Sequence, residues 1–321
     1  MSDLLLHGGT LALAWYLIVN AILSIAVAAW FTRVTSNRRG ASASGFWFAA
    51  RVGPAAVALL FVAGAFVPSY WRYEPRESVE GFDITLTVLA FAAAGLFAAA
   101  FVRGVDAWIG AVRRTRLWMR TARPLALAGT HIPAFAIDAD APIIALVGVL
   151  RPKLLVTRGL VEALTDEELA ASVAHEIGHS RAKDNLKRLI MRATPDLLAS
   201  TSSARAIERQ WASAAEHSAD RIAAAGNPEA RCALASALVK VARLMPTITP
   251  IAQPISTLVD GGEIASRVER LLADSAPASR QRTPAMTWTA ALLLAVAGAA
   301  SYTSLLQLVH ATTEILVHSL P

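Results

Sequence analysis

His175-Glu176-Ile177-Gly178-His179 is the stretch on which the reading of this 321-residue chain turns. On a helix, residues i and i+4 lie about 6 Å apart along the axis and nearly above one another, so His175 and His179 can grip one ion. Glu176 then projects beside that ion. This is the HExxH pattern, in which two histidines hold zinc and the glutamate serves as general base toward a water.

The residues before the motif predict the helix it needs. From position 164 the chain reads L-T-D-E-E-L-A-A-S-V-A-H-E-I-G-H. Thr165 is placed as an N-cap, Asp166 and Glu167 put negative charge in the first turn, and Glu168 can close a capping box. Leu169, Val173 and Ala174 supply apolar positions, and Gly178 keeps bulk away from the second histidine. The helix is predicted over 164–182.

Two histidines leave zinc short of the three protein ligands that a catalytic site uses beside water. Glu216-His217-Ser218-Ala219-Asp220, on a second predicted helix, offers Glu216 as the third. Asp220 lies one turn further on the same face, where a carboxylate can accept from the free ring nitrogen of a liganding histidine and fix its orientation. His217 is the competing donor, but it projects roughly 100° around the helix from Glu216. His7, His131, His310 and His318 receive no site role.

Composition sets the surroundings. The chain is 55% hydrophobic and 17% charged, with a mean hydropathy of +0.47, too apolar for an ordinary soluble domain. Stretches 10–31, 52–69, 84–102 and 284–309 are each long enough to cross a hydrocarbon core of about 30 Å. The first connector carries Arg33, Arg38, Arg39 and Arg51 and no acid, whereas the second mixes Arg72 and Arg76 with Glu74, Glu77, Glu80 and Asp83. Arg103, Arg113, Arg114, Arg116, Arg120 and Arg123 follow the third stretch, and Arg267, Arg270, Arg280 and Arg282 precede the fourth. By the positive-inside rule the first and third connectors are cytoplasmic and both termini extracytoplasmic. No basic residue precedes the first stretch, which is read as a retained span. The net charge of +6 is explained by these flanks, which argues against direct nucleic-acid binding. The single cysteine, Cys232, excludes an internal disulfide and is expected to be buried.

The predicted organisation is an α+β membrane protein: residues 1–103 with three transmembrane helices, 104–283 as a cytoplasmic domain, and 284–321 with a fourth span and a short tail. Short β-rich runs at 134–137, 141–150 and 153–157 predict a small sheet. Helices are expected at 204–225, 228–244 and 262–273, with 186–191 extending the motif helix. Residues 245–254, with three prolines, read as a loop. Residues 143–150 are the candidate edge strand for pairing with an extended peptide substrate, an interior strand being the alternative.

The run from 151 to 185, R-P-K-L-L-V-T-R-G-L-V-E-A-L-T-D-E-E-L-A-A-S-V-A-H-E-I-G-H-S-R-A-K-D-N, resembles the core of the BlaR/MecR-type membrane metallopeptidases, and is similar to the CAAX prenyl protease and HtpX-like group. The resemblance implies a gluzincin with a zincin-like domain: Zn2+ on His175, His179 and Glu216, Glu176 as base, Asp220 behind the ligands. Three spans before the domain and one after it match the BlaR/MecR layout. Only residues 310–321 follow the fourth stretch, so the resemblance does not extend to antibiotic sensing.

The expectation is a zinc endopeptidase acting on cytoplasmic or membrane-proximal proteins, with regulatory cleavage of a transcriptional repressor as one role and quality control of membrane proteins as another. Glu176 removes a proton from water and delivers it to the leaving amine, Arg181 is a candidate oxyanion partner, and Asp184 is expected to be structural. A non-catalytic zinc-binding signalling scaffold in the membrane is the rival, and it has no need of Glu176.

Overall fold

Three apolar helices organise the chain. The computed structural model describes residues 2–34, 44–74, 84–127, 129–139, 141–224, 227–244, 256–257, 264–273 and 286–319, without side chains at 2–3, 34, 256–257, 286–300 and 319. Helix α1 (Ser2–Val34) is followed by α2 (Ser44–Phe61), which runs through a π-helical turn (Val62–Phe66) into α3 (Val67–Tyr73), and then by α4 (Ile84–Met119). Leu4–Arg33, Ser44–Tyr73 and Ile84–Met119 are long and apolar enough to span a bilayer. The irregular turn has an identifiable cause. Pro68 has no N–H for the carbonyl four residues earlier, and that carbonyl, Gly64 O, accepts instead from Tyr302 Oη at 2.8 Å.

Tyr302 belongs to α11 (Met286–Ser319), a 34-residue helix that covers the stretch expected as a fourth span. Ser69 Oγ donates to Leu306 O at 2.7 Å and Trp15 Nε1 to Thr313 Oγ1 at 3.0 Å, which fixes the second half of α11 against α3 and α1.

Between α4 and α11 lies a small mixed sheet with helices on one side. The strands are β1 (Arg123–Pro124), β2 (Ala134–Ile137), β3 (Ile144–Val147), β4 (Lys153–Thr157) and β5 (Ser256–Thr257), ordered β1-β2-β4-β3-β5. β2 and β4 run parallel, while β3 pairs antiparallel with β4 and β5. Alternation sorts the side chains. Ile144, Leu146, Leu154 and Val156 face the helices, whereas Ala145, Val147 and Leu155 pack with Trp118 and Met119 at the end of α4. The expected edge strand is therefore corrected: β3 is interior, because Ser256 and Thr257 pair with Leu146 and Ala145 on its outer side.

The helices are α5 (Arg158–Ala163), α6 (Asp166–Ala182), α7 (Asp184–Ala193), α8 (Ser202–Ala224), α9 (Pro228–Leu244) and α10 (Ile264–Ala273), with a 3-10 turn at Leu197–Ser200. Residues 186–191 do not extend the motif helix, since Lys183 adopts a left-handed φ of 56° that ends α6 and starts α7. Cys232 is exposed, against expectation. Leu234, Leu238 and Val241 face the core, and a residue two positions before Leu234 is rotated about 200° away. The loop predicted at 245–254 lies outside the described residues.

This unit is plugged into the apolar helices through residues 190–211. Arg51, counted from the sequence as a connector charge, is buried and places Nη1 2.6 Å from Asp196 Oδ2 and Nε 2.8 Å from Glu208 Oε1. Asn20 Oδ1 accepts from Leu197 N at 3.1 Å, and Arg103 Nη2 donates to Thr194 O at 3.1 Å. A Cβ on Gly104 would come within 2.8 Å of Ala193 Cβ, so its absence lets α4 and α7 touch.

Candidate metal centre

The motif helix forms on the local signals described for it. Thr165 Oγ1 accepts from Glu168 N at 3.3 Å and Thr165 N donates to Glu168 Oε2 at 2.9 Å, closing the capping box. Glu168 is held further by Ser236 Oγ at 2.6 Å and Lys240 Nζ at 2.7 Å on α9. Burial opposes its charge, yet these partners keep its carboxyl below the ordinary glutamate value.

α6 then lies against α8 at its closest where Gly178 faces Ala219. A Cβ at 178 would sit 3.1 Å from Ala219 Cα, so glycine permits the approach that brings both histidines to α8. His175, His179 and Glu216 offer one ligand atom each within 4.8 Å of one another, and all three residues are buried. The two Nε2 atoms are 3.1 Å apart. His175 Nε2 lies 3.4 Å from Glu216 Oε2, and His179 Nε2 lies 3.4 Å from Glu216 Oε1.

The outer nitrogens face carboxylates. His175 Nδ1 is 2.9 Å from Asp220 Oδ1, and His179 Nδ1 is 2.8 Å from Asp184 Oδ2. Carboxylates accept, so the ring protons belong on Nδ1 and the Nε2 lone pairs point at each other and at Glu216. That arrangement repels itself unless a cation or extra protons intervene. Glu216 Oε1 and Oε2 are buried and take no well-formed hydrogen bond from the described residues. Donors 3.1–3.4 Å apart match the edges, about 3.3 Å, of a tetrahedral sphere with bonds of about 2.0–2.1 Å. The donor set thus fits one divalent ion.

The electrostatics point the same way. Burial alone would lower the pKa of His179, but the Glu216 and Asp184 carboxylates push it up to about 10. His175 is raised similarly, burial again opposing, by Asp220 and Glu216. Burial would raise Glu216, yet His179, His175 and Arg267 hold it well below the carboxylate range. Glu176 is pushed up to about 7, by burial above all. Its Oε2 accepts from Leu146 N on β3 at 3.1 Å, while the buried Oε1 has no hydrogen-bond partner among the described residues.

Arg267, placed elsewhere from the sequence, and Asp184, expected only to be structural, both stand at this centre. Arg267, counted among juxtamembrane charges, is buried on α10, with Nη2 2.5 Å and Nε 2.9 Å from the two oxygens of Asp220 and Nη1 2.9 Å from Glu216 Oε2. A signal existed: Ile264, Arg267, Val268 and Leu271 form one i, i+3, i+4, i+7 stripe, and a charge inside an apolar stripe needs a buried partner. Asp184 reaches His179 because the left-handed Lys183 turns the chain back. His217 stays outside the buried triad and Arg181 is exposed.

Residues 112–260 match the model of peptidase family M48. The match starts in α4 and runs past β5, so it takes in the sheet and both helices that carry the triad, and stops short of α10. The likeness of this segment to the M48 group points to a metallopeptidase. No curated protein matches the chain.

Proposed function

We propose that the chain is an integral-membrane zinc endopeptidase in which His175, His179 and Glu216 hold the ion and Glu176 is the general base. The mutual spacing of the three donors, with the bare Oε1 of Glu176 beside them, carries this reading. Imidazole with carboxylate is a donor set that suits Zn2+. When bound, the ion would polarise a water and the scissile carbonyl.

The protein's own groups do the rest. Leu146 N fixes Glu176 through Oε2, leaving Oε1 to take a proton from water and return it to the departing amine. Asp220 and Asp184 hold the imidazoles with Nε2 turned inward. Arg267 clamps Glu216 and Asp220 on successive turns of α8. A non-catalytic scaffold has no use for a carboxylate held in this way.

The setting favours substrates at the membrane. α7, which follows the motif helix directly, packs on α4 at Gly104, and Arg103 binds its last turns. With α11 as a fourth span and the arginine-rich connectors on the cytoplasmic side, both termini lie outside and the centre faces the cytosol. We assign it to the BlaR/MecR-like layout and to regulatory proteolysis, a transcriptional repressor being the class of substrate. Glu176→Gln is the test: zinc content equal to wild type, with cleavage of a membrane-proximal protein substrate down by about 10²–10⁴-fold. Equal cleavage by both proteins would remove Glu176 from the mechanism, and a wild type that binds no zinc would remove the enzyme.

A further inference from the structure

Asn185 follows Asp184 at the start of α7 and is 3% exposed. Its Nδ2 donates to Leu146 O at 2.9 Å and to Gly148 O at 3.1 Å, matching the two protons of a side-chain amide. Gly148 stands where the chain leaves the sheet. Its φ of 90° favours glycine, and a Cβ there would come within 2.7 Å of Arg151 O. The ladder with β4 stops at Val147, so Asn185 ties β3 down at the end where the ladder no longer holds it.

The direction of the strand makes this tie bear on the base. Thr157 N donates to Ile143 O at 2.9 Å, and the two-residue period of an antiparallel ladder then turns the main chain of Ala145 and Val147 toward β4 and that of Leu146 away from it. On that outer side Leu146 N donates to Glu176 Oε2 at 3.1 Å, while Leu146 O accepts from Asn185. One residue of β3 is therefore gripped by α7 at its carbonyl and grips Glu176 with its N–H. β5 covers the same edge with two residues only. After the left-handed Lys183 the neighbouring side chains divide the work: Asp184 bonds His179 Nδ1 at 2.8 Å, and Asn185 bonds the strand that holds Glu176.

We propose that Asn185 is a positioning residue for Glu176, acting through Leu146: it sets where the Leu146 N–H stands, and so where Oε1 of Glu176 points. The kinetic consequence rests on the peptidase reading, whereas the tether itself does not. A base displaced by a fraction of a bond length still lets substrate bind, but it meets the water badly in the transition state. Loss of Asn185 therefore belongs in kcat.

The rival is a tie that serves the packing of α7 on the sheet and nothing else. Amide exchange and steady-state kinetics on full-length protein in detergent, incubated with Zn2+, separate the two, with dye-labelled casein as the cleavage probe. In Asn185→Ala the Leu146 amide is expected to exchange about tenfold faster than in wild type, with the amides of α6 and α8 protected as before and zinc content unchanged. kcat should fall by about 10–10²-fold at constant KM, and adding Asn185→Ala to Glu176→Gln should lower the residual rate no further. Asn185→Leu, closer in volume, replaces the alanine variant if that one melts early. An unchanged Leu146 amide in a folded variant overturns the tether. Faster exchange throughout α6 and α8, or a kcat loss that adds to that of Glu176→Gln, assigns Asn185 to packing and overturns the positioning role. A wild type that binds no zinc or leaves casein intact counts against the peptidase reading instead, and the Leu146 amide then decides the tether by itself.

Discussion

At the scale of single residues, the centre is two imidazoles whose lone pairs are aimed by carboxylates behind them. Asp184 bonds His179 Nδ1 and fixes which nitrogen carries the proton, while Asp220 sets its negative charge 2.9 Å from His175 Nδ1. Asp184→Asn keeps the size of the side chain and removes the charge facing His179 Nδ1, so zinc affinity should fall by about 10–100-fold, measured by competition with a chromophoric chelator. Unchanged affinity would show that the 2.8 Å contact does not orient the ring. His175, His179 and Glu216 stand together in the structure because HExxH and the later carboxylate are patterns of spacing on helices. Arg267 was not read, because the same arginine serves equally well, on composition alone, as a charge beside a membrane. Asp184 was legible as structural but its partner was not: the contact with His179 depends on one left-handed residue, Lys183, which no periodicity announces.

At the scale of elements, the cap and the glycine of α6 carry the argument. Thr165→Ala removes the oxygen that receives Glu168 N and should cost about 1 kcal/mol, seen as a lower melting temperature in detergent. The pH dependence of that end of the helix has a definite sign. The folded state holds the Glu168 carboxyl below its ordinary value, so its contribution is fully present above the unfolded pKa of about 4.3 and is lost as pH falls through the folded value. The stability gap between wild type and Glu168→Gln should therefore be constant near neutrality and close in acid; a gap that widens in acid would contradict this. Gly178→Val places two methyls where a single Cβ already meets Ala219 Cα at 3.1 Å, and should part α6 from α8 and abolish zinc binding. β2, β3, β4, α6, α8, α9 and α10 were legible to within a few residues because alternation and capping are local, whereas β1, α5 and the break before α7 were not. The partner of β3 was not, since β5 comes from far along the chain and only two residues make it.

At the scale of the molecule, the unit that matches the M48 model and the apolar helices are joined by buried polar contacts that composition does not reveal. Arg51 was legible as a basic flank and is in fact a plug. Arg51→Met strands Asp196 as an unpaired buried acid and should destabilise by about 3–5 kcal/mol, whereas Arg51→Met with Asp196→Leu should recover most of that loss. A double variant as unstable as the single one would show that the pair is not the connection. Anomalous diffraction at the zinc edge from zinc-loaded crystals locates the ion. A peak is expected within about 2.0–2.2 Å of His175 Nε2, His179 Nε2 and a Glu216 oxygen; crystals of folded protein with no anomalous density among those three side chains would contradict the metal centre.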